Sequence, residues 1–570
     1  MRKLIFAVMI LLCVSVSASA EFVPDVPIMT VKELKPGMKG YMLTVMKGLE
    51  PVKIPVQIVS VIPHKPGQSI TSEILIKFTD KTRLAQGMSG SPIYINGKLI
   101  GAIRSGWDFS DHNMAMLAPI EDMCRVFDYP DAENTSLKEM FELSAVSFSG
   151  IDINTPSMKR LADRLGVTFT QGISSGGLDT TGTGLKPGDS VTALLVWGDV
   201  EMGIVGTVTA KSRNGRILAF GHKFMKRGTA SYPAARTYIH DIVNNANFPF
   251  KLATAQSLEG TFTQDREAGL GGRLGYFLPS ISAELVFKNL DTDITNRYKF
   301  RIAADEFMST ELIENMYSGL VEEAWGRKGQ GTMSVNLRID GRNVPNGWTR
   351  RDIFFSEEDV TASALEQARG IIGAYLTQPF SAIMPVGFTL TVEASQRPRI
   401  LLVEQIDAPE SAKPGEEIEI TVKLRGWRSE ITERKFSMKI PKDAEEGVCE
   451  LIVRGGGADP MRQVSVEEGW KSIDSLERML TEFKARDANN ELVLELNIDR
   501  SAETLKKIIA ESKNKDSKNT KAEKEPDLLP EEEEYLSETK ERRIKEGSLR
   551  VYSSDYFIDG MMKKIIHVEK

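Results

Sequence analysis

The sequence predicts a mainly β protein with an additional α+β part, and three observations lead to this prediction. From residue 30 to residue 220, short segments rich in β-branched residues alternate with turns rich in glycine and proline. From about residue 282, two helical segments interrupt the run of strands. The 570 residues are 41% hydrophobic and 26% charged, which is ordinary for a globular protein and excludes a collagen-like or wholly disordered chain.

The N-terminal half is predicted to form a β-barrel or a β-sandwich. Asn96-Gly97 and Asn214-Gly215 mark hairpin turns, because both residue types accept the left-handed conformation that tight hairpins need. Residues 170–190 are rich in glycine, threonine and serine and are predicted to be a loop. The predicted strands lie in Val52–Pro63, Ile70–Thr79, Ile93–Ile103, Ser190–Trp197, Gly203–Lys211 and Arg216–Phe220.

The second half is predicted to contain two small modules. A β-β-α-β-β-α-β order of elements predicts a compact α+β module, and a run of alternating strands after it predicts a β-sandwich. A stretch dominated by lysine and glutamate predicts a solvated linker or an exposed helix. In chain order, these elements are helices at Ser309–Ala324 and Glu357–Tyr375, the sandwich at Ile400–Arg454, a helix at Ser472–Lys484, a strand at Glu491–Ile498, the charged stretch at 511–547 and a hairpin at 548–570.

The first twenty residues are predicted to be a signal peptide. Arg2 and Lys3 precede an apolar core, and Ala18-Ser19-Ala20 fits the small residues of a signal-peptidase site. An uncleaved membrane anchor is the alternative. Because no later apolar run has the length of a membrane span, we expect an exported protein of the periplasm, the cell envelope or the extracellular space.

Charge and cysteine content exclude several classes of function. The balance of 72 basic to 79 acidic residues gives a net charge of −7, which leaves no basic field for nucleic acid. Cys124 and Cys449 are far apart in sequence, and two free thiols are a simpler interpretation than a disulfide. No string has zinc-binding, EF-hand or P-loop spacing, so we expect no metal and no organic cofactor.

The most informative string is Gln86-Gly-Met-Ser-Gly-Ser-Pro-Ile-Tyr94, which continues through a hairpin to Ala102. A nucleophilic serine needs an exposed hydroxyl on a tight turn, beside backbone N–H groups that can bind an oxyanion. The glycines on both sides of Ser89 permit such a turn. Ser89 is therefore the candidate nucleophile and Ser91 the competitor, while a Gly/Ser hairpin without chemistry is the alternative interpretation.

Histidine is the most common base for a serine nucleophile, and five histidines are available. His222 ends the apolar segment Ile217–His222 and follows a glycine. The end of a strand holds a side chain rigidly, and the glycine leaves open space beside it. We therefore favour His222 as the base and His112 as a weaker rival. His240 precedes Asp241, but adjacent strand residues point to opposite faces. His64 and His567 are predicted bystanders.

These residues resemble the SpoIVB-type serine peptidases of bacterial sporulation and their exported relatives. The resemblance rests on GMSGSPIYxxGKLIGA (Gly87–Ala102), GTVT (Gly206–Thr209), LAFGH (Leu218–His222) and QDREAGLGGRLG (Gln264–Gly275), and covers about residues 30–285. It implies a chymotrypsin-like β-barrel fold and a serine endopeptidase in which Ser89 and His222 work together and the amides of Gly87 and Ser89 form the oxyanion hole. The serine string here precedes the histidine string, in the reverse of the order in the sporulation peptidase.

The third member of a catalytic triad stays open at this stage. Asp80 resembles an aspartate upstream of the serine in the sporulation peptidase, although a surface turn is the simpler interpretation for it. Asp199, Asp241 and Asp265 are alternatives. The stretch Arg104-Ser105-Gly106 lies where chymotrypsin-like enzymes line their substrate pocket.

The sequence thus predicts an exported serine endopeptidase that acts on a protein or peptide substrate. A protease-like scaffold or binding protein with an idle site is the alternative, and the sequence does not determine the oligomeric state. The predicted parts are a signal peptide (1–20), a serine-bearing β half (21–135), a histidine-bearing β half (136–285), the α+β module (286–396), the sandwich (397–465), a helix-strand segment (466–510), the charged linker (511–547) and a C-terminal hairpin (548–570).

Overall fold

The computed structural model describes residues 22–65, 67–129, 145–173, 178, 182, 184–245, 247–305, 308–344, 347–457, 473–498 and 535–569. The predicted signal peptide and most of the predicted charged linker lie outside the described residues. The chain divides into two compact units. The first comprises Met1–Ser280 with Lys299–Asn315, and the second comprises Ile281–Tyr298 with Met316–Lys570.

The first unit begins with a closed antiparallel barrel of six strands in the order β1-β2-β3-β6-β5-β4. Its interior is filled by the inward residues of strands whose burial alternates, as in β3. The β4–β5 hairpin turns at Asn96-Gly97, where both residues have positive φ, as predicted. The strands are β1 (Lys39–Thr44), β2 (Val52–Pro63), β3 (Ser72–Phe78), β4 (Pro92–Ile95), β5 (Lys98–Ser105) and β6 (Met114–Pro119).

A second ring of six strands follows in the same unit. Each strand pairs with the next in the order β9-β12-β13-β14-β11-β10, and β10 pairs again with β9. The short strands β7 (Ala145–Ser149) and β8 (Thr168–Gln171) extend this sheet beyond β10. The ring consists of β9 (Ser190–Gly198), β10 (Glu201–Lys211), β11 (Arg216–Ala219), β12 (Gly228–Val243), β13 (Phe250–Arg266) and β14 (Gly269–Leu274).

Two helices and an apolar interface complete the first unit. Helix α1 (Ile120–Cys124) follows the first barrel, and helix α2 (Pro156–Leu165) is capped by the Thr155 hydroxyl and by Gly166 in the left-handed conformation. Residues of both barrels share one buried apolar cluster, with Ala102 from the first and Leu218 from the second. The mainly β, barrel-type fold class is confirmed.

The second unit contains a four-stranded sheet with helices. The sheet order is β18-β17-β19-β15, with β15 and β19 parallel, and helix α4 packs on β17 and β18. Both predicted helices are present, with bounds shifted by one to three residues. The elements of this part of the chain are β15 (Ser280–Asn289), β16 (Ile294–Ala303), α3 (Met308–Trp325), β17 (Gly331–Gly341), β18 (Trp348–Ser356), α4 (Val360–Thr377) and β19 (Val386–Ser395), of which β16 and α3 contain residues of both units.

The remainder of the second unit is a β-sandwich built around one apolar core. One sheet has the order β23-β22-β20-β27 and the other β21-β28-β24-β25-β26. The last strands of the chain thus enter both sheets. The elements are β20 (Ile400–Asp407), β21 (Ser411–Ala412), β22 (Glu417–Gly426), β23 (Ile431–Lys439), β24 (Gly447–Gly455), α5 (Leu476–Ala485), β25 (Glu491–Ile498), α6 (Leu536–Glu546), β26 (Leu549–Ser553), β27 (Phe557–Asp559) and β28 (Met561–Val568).

A buried ion network joins β24, β25 and the loop after α5. The Arg454 guanidinium is almost fully buried and lies 2.7 Å from Glu495 Oε1 and 2.8 Å from Asp487 Oδ2. Arg543 and Lys540 of α6 pair with the same two carboxylates at 3.1 and 2.7 Å. Because buried charges need partners, each arginine or lysine here stabilises carboxylates that would otherwise be costly to bury.

We expect Arg454→Met to destabilise the second unit by about 3 kcal/mol, because Glu495 and Asp487 would each lose one buried counter-charge. Equilibrium urea unfolding of the full chain, with hydrogen exchange of β24 and β25 to assign the transition, measures this loss. Arg425→Met is the matched control, since its ion pair with Glu404 lies on the surface of the sandwich and this substitution should change the free energy of unfolding much less than Arg454→Met does. Equal effects of the two substitutions would contradict the prediction.

Candidate active site

The serine string forms a tight turn between β3 and β4 whose geometry depends on its glycines. Gly87 and Gly90 have φ of +91° and +87°, which side chains with a Cβ rarely adopt. Ser89 is partly exposed on this turn. Ser91, the competitor, is fully buried and donates its hydroxyl hydrogen bond to Thr207 Oγ1 at 3.3 Å. Only Ser89 of the two presents its hydroxyl to solvent.

The backbone of the turn directs its carbonyl groups into the protein. The carbonyls of residues 86 to 90 all accept hydrogen bonds, from Lys251 N, Thr207 Oγ1, Ser91 N, Thr207 N and Thr209 Oγ1 in that order. The amides of Gln86, Met88 and Gly90 donate to Pro249, Ala85 and Ile103. Among the described residues, the amides of Gly87 and Ser89 donate to no acceptor. Two neighbouring amides of this kind are what an oxyanion requires.

Thr207 and Thr209 of the GTVT string hold this turn from the second barrel. Thr207 donates its amide to Ser89 O at 2.8 Å and its hydroxyl to Gly87 O at 3.1 Å, and Thr209 donates its hydroxyl to Gly90 O at 2.7 Å. The approach is close, because a Cβ on Gly90 would lie 2.2 Å from the Thr207 carbonyl oxygen. The role of both threonines was missed by sequence reasoning, which noted the string only as part of a resemblance.

His222 lies after a turn at the end of β11. Phe220 and Gly221 have φ of +71° and +64°, and a Cβ on Gly221 would lie 2.4 Å from the Ile103 carbonyl oxygen of the first barrel. The ring Nδ1 is 2.6 Å from the Lys223 carbonyl oxygen. Since a carbonyl can only accept, Nδ1 carries the proton and Nε2 is the basic nitrogen of the neutral ring.

Ser89 and His222 line the same cleft, which has a volume of about 440 Å³. Gly87 and the predicted pocket residues Arg104, Ser105 and Gly106 line it as well. Both candidate residues are partly exposed, so a substrate has access to each. The structure therefore brings the serine and histidine strings together, although 133 positions separate the two residues in sequence.

The aspartates considered as a third catalytic residue lie elsewhere. Asp80 is exposed, is not among the residues that line the cleft, and accepts a hydrogen bond from Thr82 N in its own turn. Asp199 accepts from Lys299 N, and Asp241 pairs with Lys47 at the surface. A catalytic role for Asp80 stays a prediction that none of its contacts supports.

Asp265 acts on the segment that carries His222. Its buried carboxylate accepts hydrogen bonds from the amides of Phe224, Met225 and Arg227 and from the Tyr232 hydroxyl. Burial raises the pKa of Asp265, although these donors act in the opposite direction. The carboxylate thereby fixes the loop that begins at Lys223, whose carbonyl oxygen holds the His222 ring.

The remaining histidines have other partners. His112 is buried against the Phe248 ring, with 4.6 Å between ring centroids. His240 bonds Thr254 Oγ1, and His64 lies 3.4 Å from Glu73. None of these three is among the residues that line the cleft.

The charged side chains of the cleft compensate one another. Arg104 lies 2.5 Å from Glu267 and 3.5 Å from Glu73, and Lys223 lies 3.0 Å from Glu267. Burial acts to raise the pKa of Glu267, but the hydrogen bonds and charges of Arg104 and Lys223 outweigh it, and its pKa lies below the ordinary value. Glu267 therefore stays ionised, and together with Glu73 it balances the charges of the two cations.

Lys251 is buried beneath the serine turn. Its side chain lies 3.0 Å from the position that a Cβ on Gly87 would occupy, and its Nζ donates to Thr44 Oγ1 at 2.9 Å. No carboxylate of the described residues forms an ion pair with it. Burial lowers the pKa of Lys251 to about 7.

Comparison with known protein families gives one match for this part of the chain. Residues 13–108 match the family model described as SpoIVB peptidase S55. The chain carries a SpoIVB-type serine peptidase domain. The matched segment of this peptidase domain contains Ser89 and ends before His222, and it supports a serine peptidase. Searches of the curated proteins and of the solved structures gave no significant match.

Within the described ranges, no group of three or more histidine, cysteine, aspartate or glutamate side chains is arranged to hold a metal ion. None of the helices among the described residues is both long and apolar enough to cross a membrane.

We expect Thr207→Val in the peptidase domain to slow the reaction of Ser89 with a fluorophosphonate about tenfold or more, because Gly87 O would lose its donor and the oxyanion amides their fixed orientation. Thr207→Ser keeps the hydroxyl and should react within about threefold of wild type. Thr237→Val is the matched control, since it also removes one buried hydroxyl of this barrel, which bonds Thr192 at 2.7 Å. Equal slowing by both valine variants would mean general loosening of the barrel and would overturn the role of Thr207.

Lys251→Met should stabilise the protein below about pH 7, by ~5 kcal/mol, because the folded wild type must then hold a buried ammonium ion whose pKa has fallen from 10.5 to about 7. Between pH 7 and 10 the unfolded chain keeps this proton and the folded chain does not, so the wild type gains stability and the difference shrinks. Urea unfolding at pH 6, 8 and 10 measures it. The exposed Lys47→Met is the control and should show no such pH dependence. A constant difference for Lys251→Met would contradict the lowered pKa.

Proposed function

We propose that this protein is an exported serine endopeptidase that cleaves protein substrates through an acyl-enzyme formed on Ser89. The observation that carries the proposal is the cleft in which Ser89, His222 and the two open amides of Gly87 and Ser89 meet. The SpoIVB peptidase match over the serine segment supports the same reaction class.

In the first half of the reaction, Ser89 Oγ attacks the scissile carbonyl carbon while His222 Nε2 accepts the hydroxyl proton. The carbonyl oxygen becomes an oxyanion and accepts hydrogen bonds from Gly87 N and Ser89 N. Collapse of this intermediate breaks the C–N bond, and the imidazolium returns its proton to the leaving amine. The product is an ester between the substrate's acyl group and Ser89.

In the second half, water takes the place of the leaving amine. His222 Nε2 accepts a proton from the water as its oxygen attacks the ester carbon, and the same two amides bind the second oxyanion. The proton then passes to Ser89 Oγ as the ester bond breaks, which restores the enzyme. The Lys223 carbonyl keeps the proton on His222 Nδ1, so that Nε2 is the basic nitrogen in both halves.

The proposal is tested by labelling the purified full chain with a fluorophosphonate. Wild type should label on Ser89, and Ser89→Ala and His222→Ala should lose labelling by at least about a hundredfold, because the nucleophile or its base is absent. Peptide mapping by mass spectrometry identifies the labelled residue.

The matched controls are Ser437→Ala and His567→Ala, which remove an exposed serine and an exposed histidine of the second unit and should label like wild type. Labelling that persists in Ser89→Ala would contradict the assignment of Ser89 as the nucleophile. A folded wild type that does not label would favour a scaffold with an idle site. Export is tested separately: protein recovered from the host should begin at Glu21, after the predicted signal peptide.

A further inference from the structure

The turn between β13 and β14, formed by Glu267 and Ala268, lies against both barrels. Ala268 is buried in the apolar cluster that residues of the two barrels share. A Cβ on Gly269, the next residue, would lie 2.8 Å from the Ala219 carbonyl oxygen, at the end of the strand that leads to His222. The turn is therefore fixed close to the segment that carries the candidate base.

The strand β5 of the first barrel binds both the serine turn and Glu267. The Ile103 carbonyl oxygen accepts from Gly90 N at 2.8 Å, and Ile103 N donates to Ser91 O at 3.1 Å. The guanidinium of the next residue, Arg104, donates to Glu267 O at 2.7 Å and to Glu267 Oε1 at 2.5 Å. Glu267 is thus bound, through its main chain and its side chain, to the strand that holds the candidate nucleophile.

The second carboxylate oxygen of Glu267 binds the residue that follows the candidate base. Glu267 Oε2 lies 3.0 Å from Lys223 Nζ, and the Lys223 carbonyl oxygen is the partner of His222 Nδ1. The side chains of Arg104 and Lys223 are only 15% and 13% exposed, so salt and solvent screen these ion pairs less than pairs at the surface. One carboxylate therefore connects the strand beneath the serine turn with the residue that orients the imidazole ring.

The same carboxylate affects the charge beside the His222 ring. Arg104 and Lys223 line the cleft together with His222, and their positive charges oppose protonation of the ring. Glu267 counteracts this effect, because it is bound to both cations. Among the described residues, the charged side chains that bear on the ring are those that line the cleft, Glu73, Arg104, Asp108 and Lys223, and the two carboxylates bound to residues 223–227, Asp265 and Glu267.

We propose that Glu267 is a positioning residue of the peptidase, which ties the strand that holds the serine turn to the loop that holds His222 and sets the charge beside the imidazole ring. Glu267 is not among the residues that line the cleft, and it acts through Arg104 and Lys223. The inference rests on the proposed function, because the residues that it positions are the proposed nucleophile and base.

The experiment measures the rate of inactivation of the full chain by a fluorophosphonate from pH 5 to pH 9. The pKa of Glu267 lies below its ordinary value, so its charge stays constant over this range. Glu267→Gln keeps the shape of the side chain and should lower the limiting rate about tenfold or more, because the two turns lose their common anchor. Its acid limb, in which the rate rises as His222 loses a proton, should move to lower pH by roughly half a unit.

Two further variants separate the effect of charge from a general loosening of the fold. Lys223→Met removes a positive charge near the ring, so its acid limb should move in the opposite direction, to higher pH. Glu267→Asp keeps the negative charge and should keep the acid limb of wild type. A loosened structure would not move the limbs of Glu267→Gln and Lys223→Met in opposite directions.

Glu311→Gln is the matched control, since it also removes a partly buried carboxylate bound to an arginine of the first unit, with 2.6 Å between Glu311 Oε1 and Arg164 Nη2. It should react like wild type at every pH. If Glu267→Gln and Glu311→Gln slow the reaction equally, or if the acid limb of Glu267→Gln stays in place, the inference is overturned while the reaction of wild type keeps the serine peptidase intact.

Hydrogen exchange tests the positioning without relying on the reaction. The amides of residues 223–227 should exchange about tenfold faster or more in Glu267→Gln than in wild type, and at the wild-type rate in Glu311→Gln. Unchanged exchange in a folded Glu267→Gln protein overturns the positioning role. A folded wild type that does not react with the fluorophosphonate overturns the proposed function, whatever the exchange rates are.

Discussion

The hydrogen bonds from Thr207 and Thr209 to the serine turn are the interaction on which the candidate active site depends. Backbone hydrogen bonds hold parts of this turn, but the carbonyl oxygens of its two left-handed glycines, Gly87 and Gly90, accept from threonine hydroxyls. The two threonines lie in another barrel and donate hydrogen bonds to the carbonyl oxygens of Gly87, Ser89 and Gly90. These bonds orient the three carbonyl groups toward the protein interior. Gly87 and Ser89 line the cleft, and among the described residues their amides donate to no acceptor. The candidate oxyanion site therefore depends on residues of two barrels and not on the serine string alone.

Glycines of the serine string, of GTVT and of LAFGH allow the two barrels to pack closely, in addition to allowing the serine turn. A Cβ on Gly90 would meet the Thr207 carbonyl, one on Gly221 would meet the Ile103 carbonyl, and one on Gly206 would lie 2.3 Å from the Phe220 ring. Each would push the barrels apart and move Ser89 away from His222. This also explains why chain order is unimportant here, since each barrel delivers one turn and close packing sets their separation.

The sequence predicted the elements that are determined by residues close together in the chain. The β4–β5 hairpin follows from Asn96-Gly97, and Ser89 follows from the glycines around it. The long strands β12 and β13 were not predicted, because their pairing contains repeated register shifts and breaks the simple alternation of apolar residues. Strand β27 pairs in parallel with β20, more than 150 residues away, and no local pattern encodes such a pairing. The role of Thr207 was missed for the same reason, since its acceptor lies 120 residues earlier.

The sequence left the acid of a catalytic triad open among four aspartates, and in the structure a main-chain carbonyl and the buried carboxylate of Asp265 together position the His222 ring. A main-chain carbonyl at Nδ1 fixes the tautomer and the plane of the His222 ring. A neutral carbonyl stabilises the imidazolium less than a carboxylate does, because it carries a dipole and not a full charge. Asp265 contributes one step away, since it binds three amides of the loop that follows Lys223 and so fixes the carbonyl itself. The orientation of the candidate base His222 thus depends on a loop held by a buried carboxylate, and Asp265, one of the aspartates that the sequence left open, acts on the histidine through this loop.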